Sequence, residues 1–231
     1  MRKIIRLASV VTMIVCAVLI IRYFYSYIKV EQEIETAQQV VKTSELESLQ
    51  QQNENIVGWI RLQDSRLNNP VLQTDNNEFY LSHNYLDEKS RGGSIFIDFR
   101  NDPLRDRHTI FYGHVLRNGS MFGELAKFAD QQYANEHPVF MYETNNIIYR
   151  FEVFAAYETT TDNYYLETQF TDETFAQFLS EIQSRSVITM PVDVSVEDHI
   201  VTLSTCTTST NDTERFVIHA KVSEQEKLEV K

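Results

Sequence analysis

The stretch Ile200-Val201-Thr202-Leu203-Ser204-Thr205-Cys206, followed after eight polar residues (207–214) by Arg215-Phe216-Val217-Ile218-His219-Ala220-Lys221-Val222, decides the fold. Both segments alternate in polarity, as strands with one buried face do. Paired antiparallel with Cys206 opposite Arg215, they set Ser204 across from Val217, Leu203 across from Ile218 and Val201 across from Ala220. Val201, Leu203, Phe216, Ile218 and Ala220 then share an apolar face, while Thr202, Ser204, Cys206, Arg215 and His219 share a mostly polar one. A slip of one residue would mix the two faces, so this register is the preferred one. It puts a thiol beside a guanidinium on what is expected to be the accessible side of a barrel wall.

Working outward, Val57, Trp59, Ile60 and Leu62 begin strand-like alternation, and Asn68-Asn69-Pro70 supplies a turn. Ser94 to Phe99 and Thr109 to Tyr112 read as buried strands, and Val139 to Tyr142 with Ile147 to Ala156 as a hairpin around Asn145-Asn146. Further strands are expected at 192–196, 199–205 and 215–222. Ser120 is positioned to cap a short helix with Met121, Phe122, Leu125, Phe128 and Ala129 on its apolar face. Thr171 can cap another, with Asp172 and Glu173 in its first turn and Phe175, Phe178, Leu179 and Ile182 on one stripe. The result is a mainly β protein with helical additions, expected as a closed or nearly closed antiparallel barrel.

The amino-terminal end is different. Leu7 to Ile21 is uncharged, and Tyr23, Phe24, Tyr25 and Tyr27 follow Arg22. Residues 4–28 reach the roughly 20 residues that span a bilayer, with Arg6 and Arg22 snorkelling and the tyrosines at the interface. A cleaved secretory signal would want small residues after the run, where aromatics stand. Residues 1–30 carry five basic side chains and no acid, which keeps that end cytoplasmic and the body outside. Residues 31–52, with Ile34, Ala37, Val41, Leu46 and Leu49 among Glu and Gln, read as an amphipathic stalk. The chain thus divides into a cytoplasmic tip and transmembrane signal-anchor (1–30), a helical stalk (31–55) and a barrel (56–231).

The whole chain has net charge −12, but residues 31–231 hold 16 basic against 33 acidic side chains. A body that acidic repels phosphate backbones, which argues against nucleic acid as a partner. Of the two cysteines, Cys16 lies in the apolar run, and no C-x-x-C spacing for zinc is present. Cys206 is therefore a lone thiol. A free thiol with pKa of about 8.5 is only a few per cent ionised at pH 7, and a neighbouring cation favours the nucleophilic thiolate. The competing reading is an ordinary buried cysteine.

A nucleophile of this kind needs a base. Among six histidines, His114 follows a buried strand and a glycine in Ile110-Phe111-Tyr112-Gly113-His114, where a side chain can project into a cleft. His108, at the other end of that strand, is the structural alternative; His83 and His137 sit in loops, and His199 and His219 read as strand surface.

At these residues the chain resembles a class B sortase. Tyr112-Gly113-His114, Thr202-Leu203-Ser204-Thr205-Cys206 and Arg215 match the family's three catalytic motifs in order and spacing. The match extends from Gly58-Trp59-Ile60 through Gly93-Ser94-Ile95-Phe96-Ile97-Asp98-Phe99-Arg100-Asn101 to Lys221. The resemblance implies an eight-stranded sortase barrel with amino-terminal helices and a helix before the last strands. It implies a membrane-anchored cysteine transpeptidase of a Gram-positive surface, needing no metal or organic cofactor. Cys206 would attack the threonine carbonyl of an NPQTN-like sorting signal, His114 would serve as general acid and then base, and Arg215 would hold the substrate backbone or oxyanion. The partners implied are surface proteins bearing that signal, haem-uptake proteins among them, and an amine of the peptidoglycan cross-bridge or its precursor. By position, Asn77 and Leu81 match one side of the family's substrate groove, Thr161, Tyr165 and Leu166 the other, and Ser204 a further contact. A pilus polymerase acting through lysine, a hydrolytic cysteine protease and a non-catalytic binding barrel are the alternatives.

Overall fold

In a computed structural model that describes residues 2–43, 46–145, 147–160, 164–206 and 214–227, strands β7 (Ile200–Cys206) and β8 (Glu214–Lys227) pair antiparallel. Val201 lies opposite Ala220, Leu203 opposite Ile218 and Cys206 opposite Arg215, the register that the alternation demands. The other strands are β1 (Ile56–Leu62), β2 (Asn68–Leu72), β3 (Ile95–Ile97), β4 (His108–Gly113), β5 (Val139–Glu143) and β6 (Ile147–Thr160). They close into a barrel in the order β1-β2-β3-β4-β7-β8-β6-β5. Of the expected β5–β6 turn, Asn146 lies outside the described residues.

The barrel is mixed rather than antiparallel, because β2 pairs with β3 and β4 with β7 in parallel. Parallel neighbours need long crossovers, and the chain supplies them in the segments between 72 and 95 and between 113 and 200. Ile60, Val71, Ile97, Phe111, Phe140, Phe151, Val201, Leu203 and Ile218 fill the interior.

The second face of β7 and β8 is not accessible along most of its length. Helix α4 (Asp172–Arg185), capped by the Thr171 hydroxyl accepting from the Thr174 amide, buries Phe175, Phe178, Leu179 and Ile182 there. They pack with Tyr157, Ile200 and Val217, and Thr202 and His219 beneath them are fully buried. Strand alternation distinguishes two faces but does not say what covers the polar one.

Two local expectations are corrected. Residues 192–196 form no strand; Val192, Val194 and Val196 instead pack singly against the α4 cluster. No helix starts at Ser120, because Met121 has φ +53°, outside helical space. The Ser120 hydroxyl instead donates to Asn118 Oδ1. A 3-10 turn at Leu125–Ala129 and a short helix α3 (Gln131–Glu136), capped by Asp130, take its place.

Ahead of the barrel, α1 (Arg2–Thr43) runs without a break, followed by α2 (Leu46–Gln50). It is the one helix among the described residues long and apolar enough to cross a membrane. Its surface divides between Ile28, which is exposed, and Val30, Ile34 and Ala37, which are buried against the body. Gln38 Nε2 donates to the Asn68 carbonyl at 2.8 Å, and the Ser90 hydroxyl to Glu33, fastening this end to the barrel.

Candidate active site

Because β4 runs parallel to β7 and β8 returns antiparallel along β7, three chain segments meet at one rim. Gly113 pairs with Thr205, and Cys206 with Arg215. Neighbouring strands lie about 4.8 Å apart, so the backbone alone brings the segments carrying His114, Cys206 and Arg215 together. Only the backbone position of Cys206 is described.

An open groove of about 230 Å³ lies at this rim. His114, Arg215, Ser204 and Thr205 line it with Phe96, Tyr112 and Gly113. Asn77 and Leu81 join from the segment around the 3-10 turn Phe79–Leu81, and Tyr165 and Leu166 from the turn Tyr164–Leu166. Thr161 lies outside the described residues.

The His114 ring is half-buried, and its Nε2 is 2.8 Å from the Leu81 carbonyl oxygen. A carbonyl only accepts, so Nε2 carries the hydrogen, and in the neutral ring Nδ1 is the basic nitrogen. Gly93 makes this possible. It has φ +57°, and a Cβ there would stand 2.6 Å from the Tyr80 oxygen, 2.9 Å from the Leu81 oxygen and 3.0 Å from His114 Cδ2. Gly93→Ala is therefore expected to slow any reaction that uses His114 by roughly tenfold to a hundredfold, since a shift of ~1 Å in a reacting group has that effect. Initial rates of the purified variant, compared with its melting temperature, check this.

Ser204 and Tyr165 are both buried, with their oxygens 3.1 Å apart. Arg215 is half-buried and donates from Nη1 to the Glu214 carbonyl at 2.8 Å. Asn77 has its amide turned to the protein, Nδ2 donating to Asp98 Oδ2 and Oδ1 accepting from the Phe99 amide, each at 3.0 Å. The sequence reading does not name Asp98 and Arg100, which hold Asn77 and the Leu166 carbonyl, as site residues. The available signals are an acid and an arginine two apart after the buried apolar run Ile95-Phe96-Ile97, and their place in the stretch 93–101 that resembles the family.

The other histidines are occupied elsewhere. His83 approaches the Phe79 carbonyl, His137 the Tyr133 carbonyl and His199 the Asp106 carbonyl. His108 and His219, both fully buried, belong to one chain of hydrogen bonds behind β7. Reading from the donor end, Tyr164 donates to the Tyr157 oxygen and Tyr157 to His219 Nε2. His219 Nδ1 then donates to Thr202, Thr202 to His108 Nε2, and His108 Nδ1 to the Glu167 carbonyl. Burial keeps both rings neutral, and in neutral rings that terminal carbonyl, which can only accept, sets the direction of every link. Burial pushes the His108 pKa down to about 4. Burial lowers that of His219 as well, with further repulsion from His108. Among the described residues, no cluster of three or more His, Cys, Asp or Glu is gathered that could hold a metal.

Comparison with known proteins agrees with this geometry. Residues 60–223 match the model of the sortase domain. Sortase B of Listeria monocytogenes is 45% identical over 77% of this chain and 74% of its own length. The solved sortase B of Bacillus anthracis superposes with a TM-score of 0.81 at 37% identity, covering 87% of this chain and 99% of that one. The sortase B–substrate complex of Staphylococcus aureus gives 0.78 at 38% identity, covering 85% and 97%. With a closed eight-stranded barrel, the matched domain and this degree of identity, the chain belongs to the sortase B family of cysteine transpeptidases.

Proposed function

We propose that the transpeptidase works through Cys206 as nucleophile, His114 as general acid and base, and Arg215 as the group that holds the developing anion. The observation that carries this reading is the pairing of Gly113 with Thr205 and of Cys206 with Arg215, beside a groove lined by His114 and Arg215. The Cys206 thiolate attacks the carbonyl carbon of the sorting-signal threonine. The peptide C–N bond breaks, and the departing amine takes a proton from the His114 imidazolium, leaving a thioester. The acceptor amine then attacks the thioester carbon and gives its proton to His114, and the Cys206 thiolate leaves. With Nε2 bonded to Leu81, Nδ1 is the nitrogen that exchanges the proton. Arg215 favours the thiolate and offers its guanidinium to the tetrahedral oxyanion.

In the same reading the signal is NPQTN-like and cleaved after threonine. It lies between Asn77 and Leu81 on one side and Tyr165 and Leu166 on the other, with Ser204 as a further contact and Thr161 assigned to the second side by its position in the sequence alone. The acceptor is an amine of the peptidoglycan cross-bridge or its precursor, and the anchored proteins serve haem uptake. Residues 1–30 hold the enzyme in the cell membrane, 31–55 form the stalk, and 56–231 are the catalytic barrel, outside the cell. The exposed apolar surface of α1 before Val30 supports the anchor.

The test mixes the full chain in detergent micelles with an Asn-Pro-Gln-Thr-Asn peptide and triglycine, and reads products by mass spectrometry. A product joining the threonine carbonyl to triglycine supports the reading. Equal hydrolysis with or without triglycine would make the protein a protease, and covalent ladders formed only from lysine-bearing pilin would make it a pilus polymerase.

A further inference from the structure

Asp98 is fully buried, and no other acid among the described residues is buried. It follows directly on β3, with its own amide bonded to the Ile110 carbonyl and its carbonyl accepting from Gln73 Nε2. Oδ1 accepts from the Arg100 amide at 3.0 Å and from Arg100 Nε at 2.9 Å. Oδ2 accepts from Arg100 Nη2 at 2.8 Å, the Tyr112 hydroxyl at 2.9 Å and Asn77 Nδ2 at 3.0 Å. Arg100 Nη2 also donates to the Leu166 carbonyl at 2.9 Å. One carboxylate therefore gathers donors from segments far apart in sequence.

We propose that Asp98 is a positioning residue for acyl transfer: its carboxylate fastens the two walls of the groove, Asn77 directly and Leu166 through Arg100, to the Tyr112 ring two residues before His114. A carboxylate buried against a half-exposed guanidinium is a poor device for stability, because the desolvation of the acid offsets much of the attraction. Its use here is geometric. Asn77, Tyr112 and Arg100, which holds the Leu166 carbonyl, share this one carboxylate, and a peptide entering the groove would press the walls apart. Two parallel bonds from a guanidinium to a carboxylate fix distance and plane together. Burial by itself would raise the Asp98 pKa, but the hydrogen bonds from Arg100 and Tyr112 outweigh it and hold the carboxyl below the ordinary range. Burial, reinforced by Asp98, pushes the Tyr112 phenol far up, so it stays a donor. An asparagine at 98 would keep the shape but present one acceptor oxygen where two now serve five donors.

This inference rests on the groove reading above, and the test keeps the two apart. Acylation of the unmodified protein by the Asn-Pro-Gln-Thr-Asn peptide bears on the groove; ratios between variants and that protein bear on Asp98. Two rates are followed on Cys206, acylation by the peptide and alkylation by iodoacetamide, which needs the thiolate but no groove. Asp98→Asn is expected to slow peptide acylation about tenfold or more, as misplaced substrate-binding groups do, while alkylation stays within about twofold. Peptide acylation within about twofold of the unmodified protein, or both rates falling in parallel, would overturn the proposal. If Asp98→Asn does not fold by circular dichroism, Arg100→Gln decides, since that side chain is 40% exposed and off the core. A severalfold slower peptide reaction with unchanged alkylation is the expected result there, and an unchanged peptide reaction overturns it.

Discussion

Cys206→Ala is expected to abolish the thioacyl adduct, and His114→Ala to slow acyl transfer by about 10²–10⁴-fold, the usual contribution of a positioned acid–base group. Neither change should unfold the barrel. His114 is half-buried and its one described side-chain bond, to the Leu81 carbonyl, lies where water can replace it. The core depends instead on residues such as Phe111, Leu203 and Ile218, which point the other way from the groove rim. Intact-protein mass spectrometry after mixing with signal peptide checks the first expectation, and initial rates of product formation the second. Transfer by the Cys206→Ala protein, or a loss of under tenfold in His114→Ala, would remove these residues from the chemistry. His108→Ala and His219→Ala should behave differently, losing stability rather than the acid–base step.

The second large effect is on stability in weak acid. His108 and His219 are buried as neutral rings in a chain where each nitrogen already has a fixed role. Protonating either would place a second donor against a donor and a charge in the fully buried interior. The His108 pKa is about 4 in the folded protein, against 6.5 when unfolded. The unfolded chain therefore binds more protons between those values, and stability falls as the pH drops from about 6.5 towards about 4. For His108 alone the slope approaches roughly 1.4 kcal/mol per pH unit in that window, and His219 acts in the same direction. Asp98, whose folded pKa is depressed, adds a loss only below the ordinary carboxylate range. Urea midpoints measured from pH 7 down to pH 4.5 should drop steadily. A flat profile across this window would mean that the two rings are protonated or solvated in the folded state.

Much of the barrel is legible in particular residues. Val201, Leu203, Phe216, Ile218 and Ala220 allow one register, since any odd slip turns an apolar side chain to the wrong face. Thr171 with Phe175, Phe178, Leu179 and Ile182 specifies a capped helix with one buried stripe, and α4 is that helix. The false strand at 192–196 shows where the same logic stops. Alternation of Val192, Val194 and Val196 states that one side is apolar, but a strand also needs a free sheet edge, and a closed barrel has none to give.

What the amino-acid sequence determined by itself is local: which residues share a face, where α4 begins, and the partner of Cys206 across a hairpin. Those follow from periods of 2.0 and 3.6, which depend only on neighbouring residues. The packing of the whole chain sets which distant segments are brought against each face. It made β4 and β7 parallel neighbours, so that Gly113 meets Thr205 at the groove. It laid α4 over Thr202 and His219, turning a polar face into a buried chain of neutral histidines. It also drew Asn77, Tyr112 and, through Arg100, Leu166 onto Asp98. The physical reason is that hydrogen bonds between residues tens of positions apart are set by how layers pack, and no periodicity along the chain records that.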